Sequence, residues 1–155
     1  MKISLEIITK GIAAITASLA LVGGGYTLWD KLKPVQPILT WHGEYFKIES
    51  GPANSEFVVI VAREKHRDDC EVKEFKLEVK DSAFQVHTAK SSVSVFSGPA
   101  SNKIDKFSYR ITLPNFTKVA PGTATLMANI KYKCPEGEVI VAYPDHPNLS
   151  FNITN

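Results

Sequence analysis

Two cysteines and two histidines are the residues of this chain whose chemistry is easiest to define. His66 lies four residues before Cys70, and His146 lies twelve residues after Cys134, so a Cys2His2 zinc site can be drawn from the four. Neither cysteine belongs to a C-x-x-C pair, which zinc loops usually contain. In a domain outside the cytoplasm, a cysteine pair more often forms a disulfide. We therefore predict a bond between Cys70 and Cys134 and no metal, with two free thiols as the alternative.

Nucleophilic and acid–base chemistry has no recognisable motif in this sequence. The four histidines share no spacing, and there is no G-x-S-x-G nucleophile motif, no P-loop and no dinucleotide-binding glycine pattern. Asp68 and Asp69 are adjacent, and Asp145 lies in YPDHP, but the D-x-D-x-D-G calcium loop is missing. We therefore predict no catalytic site and no cofactor, and we assign these carboxylates to solvated loops.

Two polar loops are instead the predicted contacts for a partner molecule. They are residues 64–70 (EKHRDDC) and residues 143–148 (YPDHPN). Binding often uses loops and exposed sheet edges that a rigid scaffold presents. The side chains that we expect on the surface, in contact with the partner, are Arg67, Asp68, Asp69, Tyr143 and His146.

The element that must position this domain is the uncharged segment 11–29, GIAAITASLALVGGGYTLW. A helix of that length, at ~1.5 Å per residue, spans roughly 28 Å, close to the ~30 Å hydrocarbon core of a bilayer. Tyr26 and Trp29 lie near one end, where aromatic rings prefer the headgroup level. We predict an uncleaved transmembrane signal anchor after a short tail, residues 1–10. A buried core helix and a cleaved signal peptide are the alternatives, although the site Ser18-Leu19-Ala20 is followed by further apolar residues.

One face of the predicted membrane helix carries small residues. Thr16, Ala20 and Gly24 repeat at a spacing of four, and Ala13 and Ala17 lie beside them. Small residues at this spacing let two membrane helices approach closely, so the face predicts helix packing and a homo-oligomer. The alternative interpretation is a helix that is simply rich in small residues.

The charge of the chain is small and unevenly placed. Its 18 basic and 16 acidic residues give a net charge of +2, too little for a dedicated nucleic-acid binder. Residues 1–36 hold four lysines against two acids, and residues 37–155 hold 14 basic and 14 acidic side chains. Lysines flank the apolar segment equally, so the α-amine and the predicted disulfide decide the orientation. We predict a single-pass inner (plasma) membrane protein with its C-terminal domain in the periplasm or outside the cell.

The rest of the chain is predicted to be a tether and one β-rich domain. Pro34 and Pro37 predict an extended tether over residues 30–37, followed by the domain at 38–155. Alternation of apolar and polar residues predicts its strands. The candidate strands are 38–49, 57–62, 75–79, 84–88, 93–97, 107–113, 123–134, 139–142 and 149–153. Eight or nine short strands separated by turns predict an all-β, antiparallel β-sandwich.

One pair of residues adds a resemblance to this prediction. Tyr132 and Cys134 are similar to the Tyr-x-Cys of the penultimate strand in immunoglobulin-like domains, which implies that fold here. The chain departs from it at Trp41, the only tryptophan of the domain, which lies in the first strand and not in a central one. Because fold does not define function, the resemblance implies no activity.

The predicted function is a membrane-anchored binding module. Residues 11–29 hold the protein in the membrane, and the β-sandwich contacts a protein partner, as in envelope proteins of bacteria or phages. One alternative is a structural subunit of a membrane complex, held by its helix. Another is an enzyme, which the missing catalytic motifs disfavour.

Overall fold

A computed structural model of the chain describes residues 35–93 and 98–155. No helix in these two ranges is long and apolar enough to cross a bilayer. The predicted anchor at 11–29, its small-residue face and its N-terminal tail lie outside the described residues, as does most of the strand predicted at 93–97.

The described residues form mostly β-strands with few helices, so the all-β prediction is confirmed. Three short 3₁₀ turns occur at Gly43–Tyr45, Phe116–Lys118 and Pro147–Leu149. The strands are β1 (Leu39–Trp41), β2 (Lys47–Ile48), β3 (Gly51–Pro52), β4 (Phe57–Lys65), β5 (Glu71–Lys80), β6 (Val86–Ser91), β7 (Ser101–Thr112), β8 (Gly122–Cys134), β9 (Gly137–Ala142) and β10 (Ser150–Thr154).

These strands form one hydrogen-bonded sheet that curls like half a barrel. Its order is β1-β4-β7-β6-β5-β8-β10-β3, with β2 also paired to β4 and β9 also paired to β8. All the pairs are antiparallel except that of β3 with β10. The sequence predicted two sheets, and the single sheet arises because β6 belongs to both halves. It begins paired with β5 (Val86 with Lys80) and ends paired with β7 (Lys90 with Thr112).

The two halves of the curled sheet enclose one hydrophobic core. The rings of Phe57 on β4 and Phe151 on β10 meet across it, with centroids 5.0 Å apart. Along β8 every second side chain is buried, which confirms the alternation predicted over 123–134. The buried set of β8 is Ala124, Leu126, Ala128, Ile130, Tyr132 and Cys134.

The strand ends gather at two opposite poles of the domain. The entry pole comprises residues 64–70, 98–101 and 134–137; the far pole comprises residues 51–55, 81–86 and 113–121. The domain's first strand begins at the entry pole, because Leu39 pairs with Lys65 and the carbonyl of Ile38 accepts the N–H of His66 (2.9 Å).

Candidate functional site

The predicted disulfide is present at the entry pole. The sulfurs of Cys70 and Cys134 are 2.07 Å apart, and their Cα atoms are 4.3 Å apart. The two cysteines meet because β5 begins beside the end of its antiparallel neighbour β8, with Glu71 opposite Lys133. Both sulfurs are thereby lost as zinc ligands. In the part of the chain that the structure describes, no three His, Cys, Asp or Glu side chains are grouped to hold a metal ion.

The predicted binding residue Arg67 is held by carboxylates of its own domain. Its guanidinium donates to Oδ2 of Asp69 (2.8 Å) and to Oε2 of Glu136 (2.9 Å). The hydrogen bonds that Arg67 donates to Glu136, and to a lesser extent those to Asp69, raise the pKa of Arg67 above its ordinary value. The same bonds to Arg67 lower the pKa values of Asp69 and Glu136. Loop 64–70 is thereby joined to the β8–β9 turn.

Asp68 makes a second set of links across the entry pole. Its carboxylate accepts the backbone N–H of Ala100 and lies 3.3 Å from Nζ of Lys65. Lys65 also donates to the carbonyl of Gly98. Asp68 and Asp69 are exposed, as predicted, but their acceptor groups are occupied within the pole. The loop that was predicted as a contact site is therefore hydrogen-bonded to two neighbouring segments of its own domain.

The prediction that Tyr143 lies on the surface is wrong. Only 8% of Tyr143 is exposed, its hydroxyl lies 3.0 Å from that of Tyr109, and its ring packs edge-on against Trp41 (4.6 Å between centroids). Burial raises its pKa well above the ordinary tyrosine value. The physical reason is that β-type pairing continues past β9: the N–H of Tyr143 donates to Ala128 (2.9 Å). Tyr143 thus continues the inward-facing series of Val139 and Val141.

His146 is a partly buried structural residue. Its Nδ1 accepts the N–H of Asn148 (3.2 Å) at the start of the 3₁₀ turn Pro147–Leu149. Its ring lies so close to Gly43 that a Cβ added there would be 2.6 Å from the imidazole.

The structure does not bring the two predicted loops together. Loop 64–70 is bonded to the end of β8 through the disulfide of Cys70 with Cys134. The segment after β9 makes its last backbone hydrogen bond to β8 at Ala128. These positions are six residues apart on one strand, or roughly 20 Å at the strand rise. The five predicted contact residues therefore do not form one surface.

The closest arrangement to a hydrolytic triad lies on β1 and the end of β4. The hydroxyl of Thr40 is 2.8 Å from Nε2 of His66, whose Nδ1 is 3.8 Å from the Glu64 carboxylate. The second distance is longer than a hydrogen bond, and the same carboxylate also lies 3.7 Å from His42. We interpret this group as a partly buried cluster of polar side chains.

The feature that the sequence analysis missed is the β5–β6 hairpin at the far pole, which is built around a buried aspartate. Oδ1 of Asp81 accepts the N–H groups of Ala83 and Gln85 (both 2.9 Å). Oδ2 accepts the N–H of Ala120 (3.0 Å) and lies 2.8 Å from Nε2 of His87. Burial alone would raise the pKa of Asp81, but these hydrogen bonds outweigh it and lower the pKa to about 2.

This hairpin presents Phe84 to solvent in an unusual backbone conformation. Phe84 has φ 64° and is 81% exposed, and its N–H donates to the carbonyl of Asp81 (3.0 Å). The left-handed region costs a residue with a Cβ about 1–2 kcal/mol. The hairpin lies against the start of β8, where Ser82 donates to the carbonyl of Pro121 (2.7 Å). A Cβ on Gly122 (φ 120°) would lie 3.0 Å from Ser82, so only glycine fits there without displacement.

The prediction that Phe84 begins a strand is wrong. The strand begins at Val86, after the turn that Asp81 stabilises. The available signal was an Asp-Ser pair after an alternating strand, because aspartate favours turns in which its side chain accepts a nearby backbone N–H.

Further apolar side chains are exposed at the far pole. Val86 is 54% exposed, and Phe116 is 44% exposed. Phe116 also borders a shallow cavity of about 290 Å³, whose other apolar lining residues are Pro52, Ala53, Val119 and Pro121. A protruding aromatic ring and an apolar hollow thus occur at the same end of the domain.

Comparison with other proteins adds no family to this description. No protein-family model matches the chain, and no curated protein matches it significantly.

Proposed function

We propose that this protein is a single-pass membrane protein whose all-β domain binds another protein outside the cytoplasm. The proposal rests on one observation: the point where the chain enters the domain and the exposed Phe84 lie at opposite ends of the strands. The chain enters the domain at the entry pole beside Ile38, whereas the exposed Phe84 is at the far pole. An anchor at 11–29 and a tether at 30–37 would hold the first end and leave the second end free.

The entry pole has the properties of an attachment point. The Cys70–Cys134 bond and the ion pairs of Arg67 fasten three chain segments beside the place where a tether would join. Disulfides persist in oxidising compartments, which supports a periplasmic or extracellular location for the domain.

The far pole has the properties of a protein contact. Aromatic residues are enriched at the energetically important centres of protein interfaces. The hairpin 81–86 carries one charged residue, Asp81, which is buried, and the loop 113–121 carries one, Lys118. This composition is unlike that of surfaces that bind nucleic acid, which are strongly basic.

Crosslinking on intact cells tests the proposal. A membrane-impermeant, amine-reactive crosslinker is applied to cells that make the full chain, and to cells in which residues 11–29 are replaced by an unrelated membrane helix. We expect the same discrete protein adduct in both. An adduct lost on replacement would instead support the structural subunit held by its helix, and no adduct in either would contradict partner binding.

A further inference from the structure

We infer that Phe84 is the residue that anchors the domain to its partner, and that the partner is a protein with an uncharged, apolar pocket for one aromatic ring. The inference rests on the proposed function and assigns its binding surface to the far pole.

Phe84 has an unusual backbone conformation. Among the described residues it is the only non-glycine residue with positive φ. Such strain is found where the surrounding structure enforces it, often at ligand contacts and other functional sites. With 81% of its surface exposed, the ring adds little to the core, so its exposure gives the folded domain no evident benefit.

The backbone that carries the Phe84 ring is held in place in the free domain. The N–H groups on either side of Phe84, those of Ala83 and Gln85, both donate to the same buried oxygen of Asp81. The other oxygen is bound by Ala120, which joins the hairpin to the loop before β8. A turn whose backbone is already fixed loses less entropy on association, so this arrangement suits a turn that carries an anchor residue.

The charges around Phe84 indicate the chemistry of the partner. The charge of Asp81 is buried beside His87, so the tip of the hairpin, residues 82–86, carries no charged side chain; one lysine, Lys80, pairs with Val86 at its base. Anionic lipid and nucleic acid are attracted by clusters of basic residues, which this hairpin lacks. An apolar protein pocket fits the ring, and the hollow beside Phe116 offers a place for an apolar side chain of the same partner.

Site-specific photocrosslinking tests the inference in the full chain, in the membrane of the cell that makes it. Benzoylphenylalanine replaces Phe84, Val86 or, as a matched control, Ile140. Ile140 is an apolar residue of β9 that is 66% exposed and lies outside the far pole. We expect one discrete protein adduct from positions 84 and 86 and none from position 140.

A second variant separates binding from folding. With the crosslinker at position 86, Phe84→Ala is expected to reduce the adduct at least tenfold, Phe84→Tyr to retain it, and Ile140→Ala to leave it unchanged. The denaturation midpoint of Phe84→Ala is compared with that of the unsubstituted chain, which verifies that the fold is intact.

The remaining outcomes overturn the inference in distinguishable ways. An adduct with the mass of a lipid, or equal adducts from positions 84 and 140, would contradict a protein pocket for Phe84. If the amine-reactive crosslinker captures a partner and position 84 does not, the binding function stands and the assignment to Phe84 fails. If neither reagent captures a protein, both proposals fail.

Discussion

The two poles of the domain use charge in opposite ways. At the entry pole, Asp68, Asp69 and Glu136 are exposed carboxylates paired with nearby cations, beside a disulfide. At the far pole, one buried carboxylate, Asp81, collects four hydrogen bonds and shapes a hairpin. The first arrangement joins segments of chain to each other, whereas the second fixes the backbone of a turn that carries one exposed aromatic residue.

The polar interactions at the two poles also differ in how much free energy each contributes to folding. Exposed ion pairs contribute about 0–1 kcal/mol each, because water screens them. Hydrogen bonds to a charged group contribute about 1.5–3 kcal/mol, and a buried group left without its partners is strongly unfavourable. We therefore expect the stability of the entry pole to depend mainly on its disulfide, and that of the far pole on Asp81.

The largest expected effect is that of removing the disulfide. Replacing Cys70 and Cys134 together with alanine should lower the free energy of unfolding by about 4 kcal/mol, because the bond closes a long loop in the unfolded chain. The measurement is denaturant unfolding of the full chain followed by tryptophan fluorescence. Reduction of the unsubstituted protein serves as the control and should give a similar loss. A loss below 1 kcal/mol would show that the entry pole is stabilised by other contacts.

The next largest effect compares carboxylates of the two poles. Asp81→Asn should lower the free energy of unfolding by about 3 kcal/mol, since the amide keeps one acceptor oxygen but places an NH2 group against backbone donors. The matched change at the entry pole, Asp69→Asn, should lower the free energy of unfolding far less, because Asp69 is exposed and water screens its ion pair. Equal losses in the two variants would remove the distinction between the poles.

Acid should remove the contribution of Asp81. Its pKa in the folded state, about 2, lies below the ordinary value of 3.8, so the ionised carboxylate stabilises the fold at higher pH. That contribution, about 2 kcal/mol, is lost as the pH falls from about 4 through 2. Unfolding free energies of the unsubstituted protein and Asp81→Asn should therefore converge between pH 5 and pH 2. A constant difference over this range would contradict the lowered pKa.

The smallest expected effect is at Phe84 itself. Phe84→Gly should leave the domain as stable as before or more stable by about 0.5–1 kcal/mol, because glycine relieves the positive φ although it is more flexible when unfolded. Phe84→Ala keeps a Cβ and should show no such gain. Denaturation midpoints of the two variants make the comparison. A marked loss in Phe84→Gly would mean that the ring stabilises the fold, contrary to its role as a contact.

The parts of this structure that follow local patterns could be predicted from the sequence. Period-two alternation identified the buried face of β8 from Ala124 to Cys134. The disulfide followed from a pair of cysteines in a domain that was predicted to lie outside the cytoplasm. Both inferences need only the residue types and their order along the chain.

The link between the hairpin and the loop before β8 could not be predicted in this way, because it joins distant residues. Asp81 depends on the N–H of Ala120, which is 39 residues away. The position of Tyr143 was also mispredicted. The proline that follows it indicates a loop, but the inward-facing alternation of β9 continues to Tyr143. The division of β6 between two neighbours likewise depends on hydrogen bonds that no local pattern encodes.

The Cys70–Cys134 bond also has a mechanical consequence. When the two ends of the domain are pulled apart, tension passes through the sulfur–sulfur bond and bypasses the covalent ring that it closes. A sequence separation of 64 residues withholds roughly 230 Å of extended chain from lengthening. The strands before Cys70, β1–β4, and those after Cys134 can be pulled from the sheet, whereas Asp81, His87, Ala120 and the hairpin that carries Phe84 all lie within the ring, which the intact bond keeps from being extended.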